Sequence, residues 1–297
     1  MIIVGAGLAG LIAATQFSNA KVFEAGKEDA FPHSALLRFR TPIIGQMTGV
    51  PFKEVSVRKG ISVEGKFVNP SIRIANDYSK KVTGKIFDRS IWNIETATRY
   101  IAPEDFPGIL KEMNRHRVEY ESPFDYLDDQ NCPIISTAPL HIPVEALNLI
   151  SPREVEFERS PINVRRYRIT GANVHQTIYY PGIETHVYRA SITGDLLIIE
   201  AIGSIYGNDI IQVANSFGLT LNDIEPIGDV KQAYGKIAPI DETLRRALVR
   251  QLSGNFNIYS LGRFATWRNL LLDDLPQDIN VIRRLINNDS YHLALKG

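Results

Sequence analysis

The stretch that decides the fold is residues 1–26, MIIVGAGLAGLIAATQFSNAKVFEAG. A short apolar strand leads into Gly5-Ala6-Gly7-Leu8-Ala9-Gly10, a helix of small residues follows, and a second strand ends at Glu24. In a βαβ unit the first glycine permits a tight turn, the second admits a pyrophosphate, and the third lets helix and strand pack closely. Glu24 follows Gly5 by 19 residues, close to the ~20 expected for an acid that binds a ribose hydroxyl. The pattern predicts a dinucleotide-binding unit.

The composition is that of an ordinary globular protein and argues against several function classes. Lys plus Arg equals Asp plus Glu at 33 each, so no global field favours nucleic acid or an anionic membrane. The single cysteine, Cys132, excludes an intramolecular disulfide and a redox-active cysteine pair. The histidines are scattered without the spacing of zinc ligands. Because the sequence shows neither a signal-peptide charge pattern nor an apolar run of ~20 residues, we expect a soluble cytoplasmic protein.

The rest of the chain indicates two interleaved domains. Residues 132–139 form an apolar strand closed by prolines, which suits a buried parallel sheet. Residues 53–100 are mixed, with short strand-like runs and a predicted helix near Ser71–Tyr78. Glycine turns separate four further strand-like runs and predict an antiparallel meander, at 163–170, 174–180, 185–191 and 195–201. The predicted class is α/β, with a Rossmann-like domain of parallel strands and helices interleaved with a mixed antiparallel-sheet domain. The first domain is assigned 1–40, 130–142 and 226–297, and the second 41–129 and 143–225.

A second strand–glycine–helix unit closes the chain. A strand at 257–261 leads into Gly262-Arg263, and Asp273-Asp274-Leu275-Pro276 is typical of a helix start, with an acidic cap and an early proline. This second unit can direct the N-terminus of another helix, with its dipole, at the same ligand. This unit, together with a fingerprint that begins at residue 2, favours FAD over NAD.

These motifs resemble a known family. The fingerprint, the strand at 134–139 and the segment GRFATWR at 262–268 resemble the FAD-dependent oxidoreductases of the glutathione-reductase fold. Within that group they are most similar to the branch that holds UDP-galactopyranose mutase, protoporphyrinogen oxidase and amine oxidases, as is the run 234–241. The chain is shorter than those relatives and lacks the mutase's Gly-Gly-His loop in recognisable form, so the mutase substrate is not carried over. A looser similarity links the chain to small bacteriophage flavoproteins, some of which serve the synthesis of modified DNA bases.

The fingerprint, the absence of a motif for covalent attachment and the resemblance together predict non-covalent FAD and two sets of site residues. In the mutase, a Gly-Arg pair followed by an aromatic and a basic residue precedes a helix whose start faces the flavin, and Gly262, Arg263, Trp267 and Arg268 occupy those places. The residues expected to bind the cofactor are Gly5, Ala6, Gly7, Leu8, Ala9, Gly10, Glu24, Ala25, Gly262, Arg263, Leu271, Leu272 and Asp273. The residues expected to act in catalysis are Arg263, Trp267, Arg38, Arg40, Arg189 and Tyr180.

Each catalytic candidate has a structural alternative. Arg263 either stabilises the reduced flavin or pairs at the surface with Asp273 or Asp274, and Trp267 either stacks at the site or packs in the core.

Arg38 and Arg40 are two residues apart, so in an extended loop both side chains would point to the same side and could clamp a carboxylate or phosphate. The alternative is that both lie on a solvent-exposed edge of the loop. His33 and Ser34 lie in the same loop. Arg189 is a candidate substrate ligand over the flavin, and one of Tyr179 and Tyr180 should be core.

A basic cluster at Arg165, Arg166 and Arg168 is more typical of a solvent-facing strand than of a phosphate site.

Three functions remain open from the sequence. The first is an FAD-dependent oxidoreductase acting on a small or nucleotide-linked substrate, for example at a C–N bond. A redox-neutral flavin-dependent isomerase or mutase, including one that acts on a modified nucleotide, is the second. The third is a non-catalytic dinucleotide-binding protein or an NAD-dependent dehydrogenase. No second GxGxxG occurs, so a dedicated NAD(P)H domain is not expected. Neither a membrane nor a nucleic acid is an expected partner.

Overall fold

The computed structural model describes residues 1–28, 30, 33, 35–86, 90–128, 132–149 and 155–294. The strands are β1 (Ile2–Val4), β2 (Lys21–Phe23), β3 (Arg38–Phe39), β4 (Lys53–Val63), β5 (Lys66–Phe67), β6 (Ala97–Ile101), β7 (Val118–Glu119), β8 (Ile134–Ser136), β9 (Arg159–Ile169), β10 (Val174–Tyr179), β11 (Val187–Gly194), β12 (Leu196–Ala201), β13 (Ile224–Ile237) and β14 (Ile258–Ser260). The α-helices are α1 (Leu8–Gln16), α2 (Ile43–Thr48), α3 (Ile72–Thr83), α4 (Phe106–Asn114), α5 (His141–Ala146), α6 (Gly207–Ser216), α7 (Glu242–Phe256) and α8 (Leu275–Ala294). Within these ranges no helix has the length and apolar character needed to span a membrane.

The opening motif lies at the centre of a five-stranded parallel sheet with the order β14-β8-β1-β2-β7. The strands β1, β8 and β14 are largely apolar along their length because helices cover both faces of the sheet. On one face α1, α4 and α8 pack into a core with Ile3 and Leu11, and on the other α5 and α7 pack with Ile134 and Leu252. The predicted α/β class, with a Rossmann-like parallel sheet, is confirmed.

The second sheet is mixed, with the order β13-β9-β12-β11-β10-β4-β6-β3 and with β5 paired to β4. β10, β11 and β12 form a meander as predicted. The prediction is wrong for β9, which lies between β12 and β13 rather than beside β10. The free edge of β10 is taken by β4, an 11-residue strand that pairs with it in parallel. A parallel partner from a distant segment leaves no local sequence signal.

The two faces of the mixed sheet carry separate cores. α6 covers one face, where Tyr180 and Val187 are buried among aliphatic side chains. α3 covers the other face, where Tyr78 packs edge-on against Tyr179 with ring centroids 5.5 Å apart. Neighbouring tyrosines on β10 and at its end therefore point to opposite faces, as strand geometry requires.

The domain boundaries stay a prediction. β7 falls within the segment 41–129 assigned to the second domain, yet it extends the parallel sheet beside β2. β13 begins in the segment 143–225 and continues into 226–297, and along its length it pairs with β9 of the mixed sheet. The two sheets thus exchange segments at β7 and β13.

Candidate functional site

The turn after β1 has the geometry expected of a pyrophosphate-binding loop. Gly5 has a φ of +99°, which favours glycine, and a Cβ on Gly10 would overlap the carbonyl oxygen of Gly5. A Cβ on Gly7 would meet no protein atom within 4 Å. Gly7 is also the N-cap of α1 and supplies no side-chain cap, so the first amides of the helix face outward. A helix start of this kind binds anions.

Glu24 is held beside this turn by backbone amides. The N–H of Ala6 donates to Oε2 at 2.8 Å, and the N–H of Gly26 donates to Oε1 at 2.9 Å. Each carboxylate oxygen can accept a second hydrogen bond, so the acid remains able to bind a hydroxyl. Its role in binding a ribose hydroxyl stays a prediction.

The C-terminal motif packs directly on the N-terminal one. Gly262 has a φ of +89°, and its Cβ position lies 3.0 Å from the Cβ of Ala9 in the first turn of α1. Arg263, the next residue, donates from Nε and Nη2 to the carbonyl oxygen of Leu270, at 2.9 and 2.7 Å. Its Nη1 lies 3.5 Å from the carbonyl oxygen of Gly235. Residues from both ends of the chain therefore meet at the start of α1.

Asp273 and Asp274 pair with Arg40, so the surface pair expected as the alternative for Arg263 is wrong. The Arg40 amide donates to Asp273 Oδ1 at 2.8 Å, and its Nη2 lies 2.7 Å from Asp274 Oδ1. Asp274 also accepts from the Leu271 amide at 2.8 Å and caps the 3₁₀ turn Leu272–Asp274 that precedes α8. These contacts tie the loop after β3 to the start of the C-terminal helix.

Arg38 points away from Arg40, so the expected joint clamp is wrong. Because the mixed sheet curls, β3 lies across β10 and β11, and Arg38 donates to the hydroxyls of Thr193 and Thr177 at 2.9 and 2.8 Å. Arg40 lies beyond the end of β3 and follows the chain toward α8. Burial, and then the charge of Arg189, lower the pKa of Arg38 to about 9.

Arg189 forms a buried ion pair that sequence reasoning did not foresee. Its Nη2 lies 2.7 Å from Glu200 Oε1 and its Nε binds Oε2, in a bidentate arrangement, while the Tyr188 hydroxyl donates to Oε1 at 3.1 Å. Lys236 Nζ lies 4.6 Å from the centre of the Tyr188 ring. Glu200 is 1% exposed and is the one charged residue of the apolar strand LLIIEA. A lone acid in such a strand is the signal that could have found it.

His33 carries a buried ring nitrogen. Its Nε2 has no hydrogen-bond partner among the residues that the structure describes. Burial lowers the pKa of His33 to about 4, the charge of Glu200 opposes this shift, and the charge of Arg263 adds to it. The ring is therefore neutral near pH 7. Ser34 lies outside the described residues.

Two catalytic candidates belong to the core. Trp267 is 1% exposed, packs against Phe157 at 5.0 Å between ring centroids, and donates to the carbonyl oxygen of Ala238 at 2.9 Å. Tyr180 is 0% exposed and lies on the α6 face, away from Arg189. Neither ring offers a surface for stacking, so both catalytic assignments are wrong. Both tyrosines are buried, Tyr180 on the α6 face and Tyr179 on the α3 face of the sheet.

The basic cluster on β9 is a solvated network. Arg166 and Arg168 each lie 2.6 Å from a carboxylate oxygen of Glu104. Arg165 lies 3.1 Å from Asp229. These contacts agree with the interpretation of a solvent-facing strand and leave the cluster outside the candidate site.

We expect Glu200→Gln to destabilise the protein by about 3 kcal/mol, the low end for a buried pair, because it leaves the partly buried Arg189 guanidinium without its carboxylate. Burial opposes ionisation of Glu200, but Arg189 outweighs it and holds the pKa below the ordinary 4.5. The contribution of the pair should be full above that value and decline as the pH falls through the lowered pKa. Urea unfolding across this pH range measures it. Glu104→Gln, at a half-exposed pair, is the control and should cost about 1 kcal/mol or less.

The comparisons with known proteins show the fold but no family. No protein-family model matches the chain, and no curated protein matches it. Its structure is similar to reduced UDP-galactopyranose mutase, with a TM-score of 0.64, 14% identity, and coverage of 96% of this chain and 93% of that one. A geranylgeranyl bacteriochlorophyll reductase-like protein of Thermoplasma acidophilum matches with a TM-score of 0.53, 11% identity and coverage of 98% and 78%. A Photorhabdus luminescens structure assigned as an FAD-containing monooxygenase matches with a TM-score of 0.50, 9% identity and coverage of 98% and 89%.

Proposed function

We propose that this protein is a flavin-dependent enzyme that binds FAD at the junction of its two sheets. The observation that carries the proposal is the contact of Gly262 with Ala9, which brings the C-terminal motif to the dinucleotide turn. An NAD-binding Rossmann unit does not need a C-terminal segment that packs against the start of its first helix. The names of two similar structures, an FAD-containing monooxygenase and UDP-galactopyranose mutase, support the same cofactor class.

The residues present fit the parts of FAD. The open space at Gly7 and the uncapped amides of α1 suit the pyrophosphate, and Glu24 suits a ribose hydroxyl. The remaining proposed contacts to the cofactor come from Ala6, Leu8, Ala9, Gly10 and Ala25 beside that turn, and from Gly262, Arg263, Leu271, Leu272 and Asp273 beside the ring system. When bound, the flavin supplies electron or hydride transfer, and the protein supplies orientation and charge.

Two side chains on the α3 face of the mixed sheet support a substrate that carries negative charge. Arg38 donates to neutral hydroxyls and carbonyls among the described residues, whereas Arg189 is paired with Glu200. A buried excess of positive charge is costly unless an anion neutralises it. We therefore propose a small or nucleotide-linked anionic substrate, with Arg189 and Arg38 as the groups that attract it and Arg40 holding the adjacent loop.

The reaction class has two candidates. Oxidation of a small molecule, for example at a C–N bond, is the first, and the absence of a second nucleotide fingerprint from the sequence favours oxygen or another small acceptor over NAD(P)H. Redox-neutral isomerisation is the second, and the mutase among the similar structures favours it. Anaerobic mixing with substrate separates them, because oxidation bleaches the flavin and isomerisation leaves its net redox state unchanged.

The purified protein should be yellow, and acid precipitation should release the colour into the supernatant as FAD, because the sequence shows no motif for covalent attachment. Absorbance and chromatography of the supernatant measure this. Colour retained in the pellet would contradict non-covalent binding. A colourless protein that binds NAD would replace the proposal with an NAD-dependent dehydrogenase or a non-catalytic dinucleotide-binding protein, and turnover of NAD would separate these two.

A further inference from the structure

We propose that Lys81 is a positioning residue that holds the β10–β11 hairpin in the register that brings Tyr188 and Arg189 together on Glu200. The proposal rests on the proposed function only in that these two side chains face the proposed substrate site. Lys81 itself lies on α3, outside that site, and acts through the backbone of the hairpin.

Three carbonyl oxygens converge on the ammonium group of Lys81. Its Nζ donates to the carbonyl oxygens of Tyr180, Gly182 and Val187, at 2.8, 2.6 and 2.7 Å. An ammonium has three donors, so this arrangement uses all of them. Burial lowers the pKa of Lys81 to about 8, with Glu184 and Asp209 acting in the opposite direction. Hydrogen bonds from a charged donor in a partly buried place are among the stronger ones in proteins.

The carbonyl of Val187 stands where β11 departs from regular pairing. Val187 pairs with Ala201, but Arg189 pairs with Glu200, so Tyr188 is an extra residue that forms a β-bulge. In a regular strand Tyr188 and Arg189 would point to opposite faces. With the bulge, both reach the same carboxylate.

Lys81 binds the backbone on both arms of the hairpin at this point. Tyr180 and Gly182 follow β10, and Val187 is the last residue before the bulge. One turn earlier on α3, Tyr78 packs edge-on against Tyr179. Helix α3 therefore contacts the hairpin at two places. Tyr78 contacts a side chain, and Lys81 binds the backbone.

The test is the accessibility of Arg189 to phenylglyoxal in the full-length protein, read by mass spectrometry. The matched variants are Lys81→Ala, Lys81→Met, which keeps the aliphatic stem, and Lys80→Ala, which removes an exposed neighbour on the same helix. Arg245 is the internal reference, because it is buried and bonded to Glu242. Loss of the three charged hydrogen bonds should raise the Arg189 to Arg245 rate ratio about tenfold in both Lys81 variants and leave it unchanged in Lys80→Ala.

Chemical rescue separates positioning from general destabilisation. Propylammonium replaces the atoms that Lys81→Ala removes, and it should bring the rate ratio back toward the wild-type value, whereas propan-1-ol should not. An unchanged ratio in a folded Lys81 variant, or equal rescue by both compounds, would overturn the proposal. The ratio is read without regard to flavin. A protein that lacks FAD therefore refutes the proposed function and leaves this test intact.

Discussion

Gly7→Val should abolish FAD binding while the protein stays folded. The backbone of Gly7 is extended, with φ −71° and ψ 177°, a conformation that valine adopts readily. A Cβ there meets no protein atom within 4 Å, so the new side chain costs the apoprotein little. The same side chain would occupy the space through which a pyrophosphate approaches the backbone. Flavin absorbance per mole of protein, with circular dichroism to report folding, measures the effect.

Two further variants control this experiment. Gly7→Ala should reduce the affinity for FAD less than valine does, because it adds a single methyl group. Gly10→Ala should instead destabilise the fold by about 1–3 kcal/mol or more, since its Cβ would overlap the Gly5 carbonyl oxygen. A Gly7→Val protein with full flavin content would show that the pyrophosphate does not bind at this turn.

The contrast between Gly7 and Gly10 shows why the N-terminal motif could be predicted from the sequence. Gly10 is required by its close approach to the Gly5 carbonyl oxygen, Gly7 leaves open space at the same turn, and Glu24 reaches that turn through Ala6. The spacing of the three glycines and the acid is therefore enough to predict the geometry of the turn. The α/β class followed from the same local reasoning, which the parallel order of β1, β2 and β8 confirms.

The mixed sheet and its side chains could not be predicted in this way. β10 pairs with β4, more than a hundred residues earlier in the chain, and the pairing decides which strands lie next to Arg38. Alternation along an extended loop placed Arg38 and Arg40 together, but the curl of the sheet separates them. The approach of Tyr188 to the Arg189–Glu200 pair depends on a β-bulge, which shifts the facing of a strand by one residue.

The predicted role of Trp267 also depended on a side-chain direction that the sequence does not specify. Trp267 lies within the motif that the resemblance associates with the flavin, but its backbone has a φ of +46°. In that conformation the indole lies inward, against Phe157 and the carbonyl of Ala238. A family motif specifies residue types in order, whereas the direction of each side chain depends on the local backbone and the surrounding core.

Arg263→Ala should lower the midpoint potential of the bound flavin by about 30 mV or more, which is ~1.4 kcal/mol for two electrons. A cation beside the pyrimidine edge favours the anionic reduced form where water is excluded, so its removal disfavours reduction. FAD should still bind through the N-terminal turn, and turnover should slow. Arg263→Lys should recover part of the potential, because a point charge restores the cation but not the planar fork that holds the Leu270 carbonyl.

Redox titration of the wild type and the Arg263 variants tests this, with Arg268→Ala as the matched control. Arg268 lies in the same segment but pairs with Asp278 at 2.7 Å, so its loss should leave the potential unchanged. The hydrogen bonds to Leu270 give Arg263 a second, structural role, and removing them should cost about 1–3 kcal/mol of stability. The two roles separate by measurement. A normal midpoint potential in a destabilised Arg263→Ala protein would show that Arg263 only stabilises the loop that contains Leu270. A lowered potential that Arg263→Lys restores in part would show that Arg263 acts on the flavin.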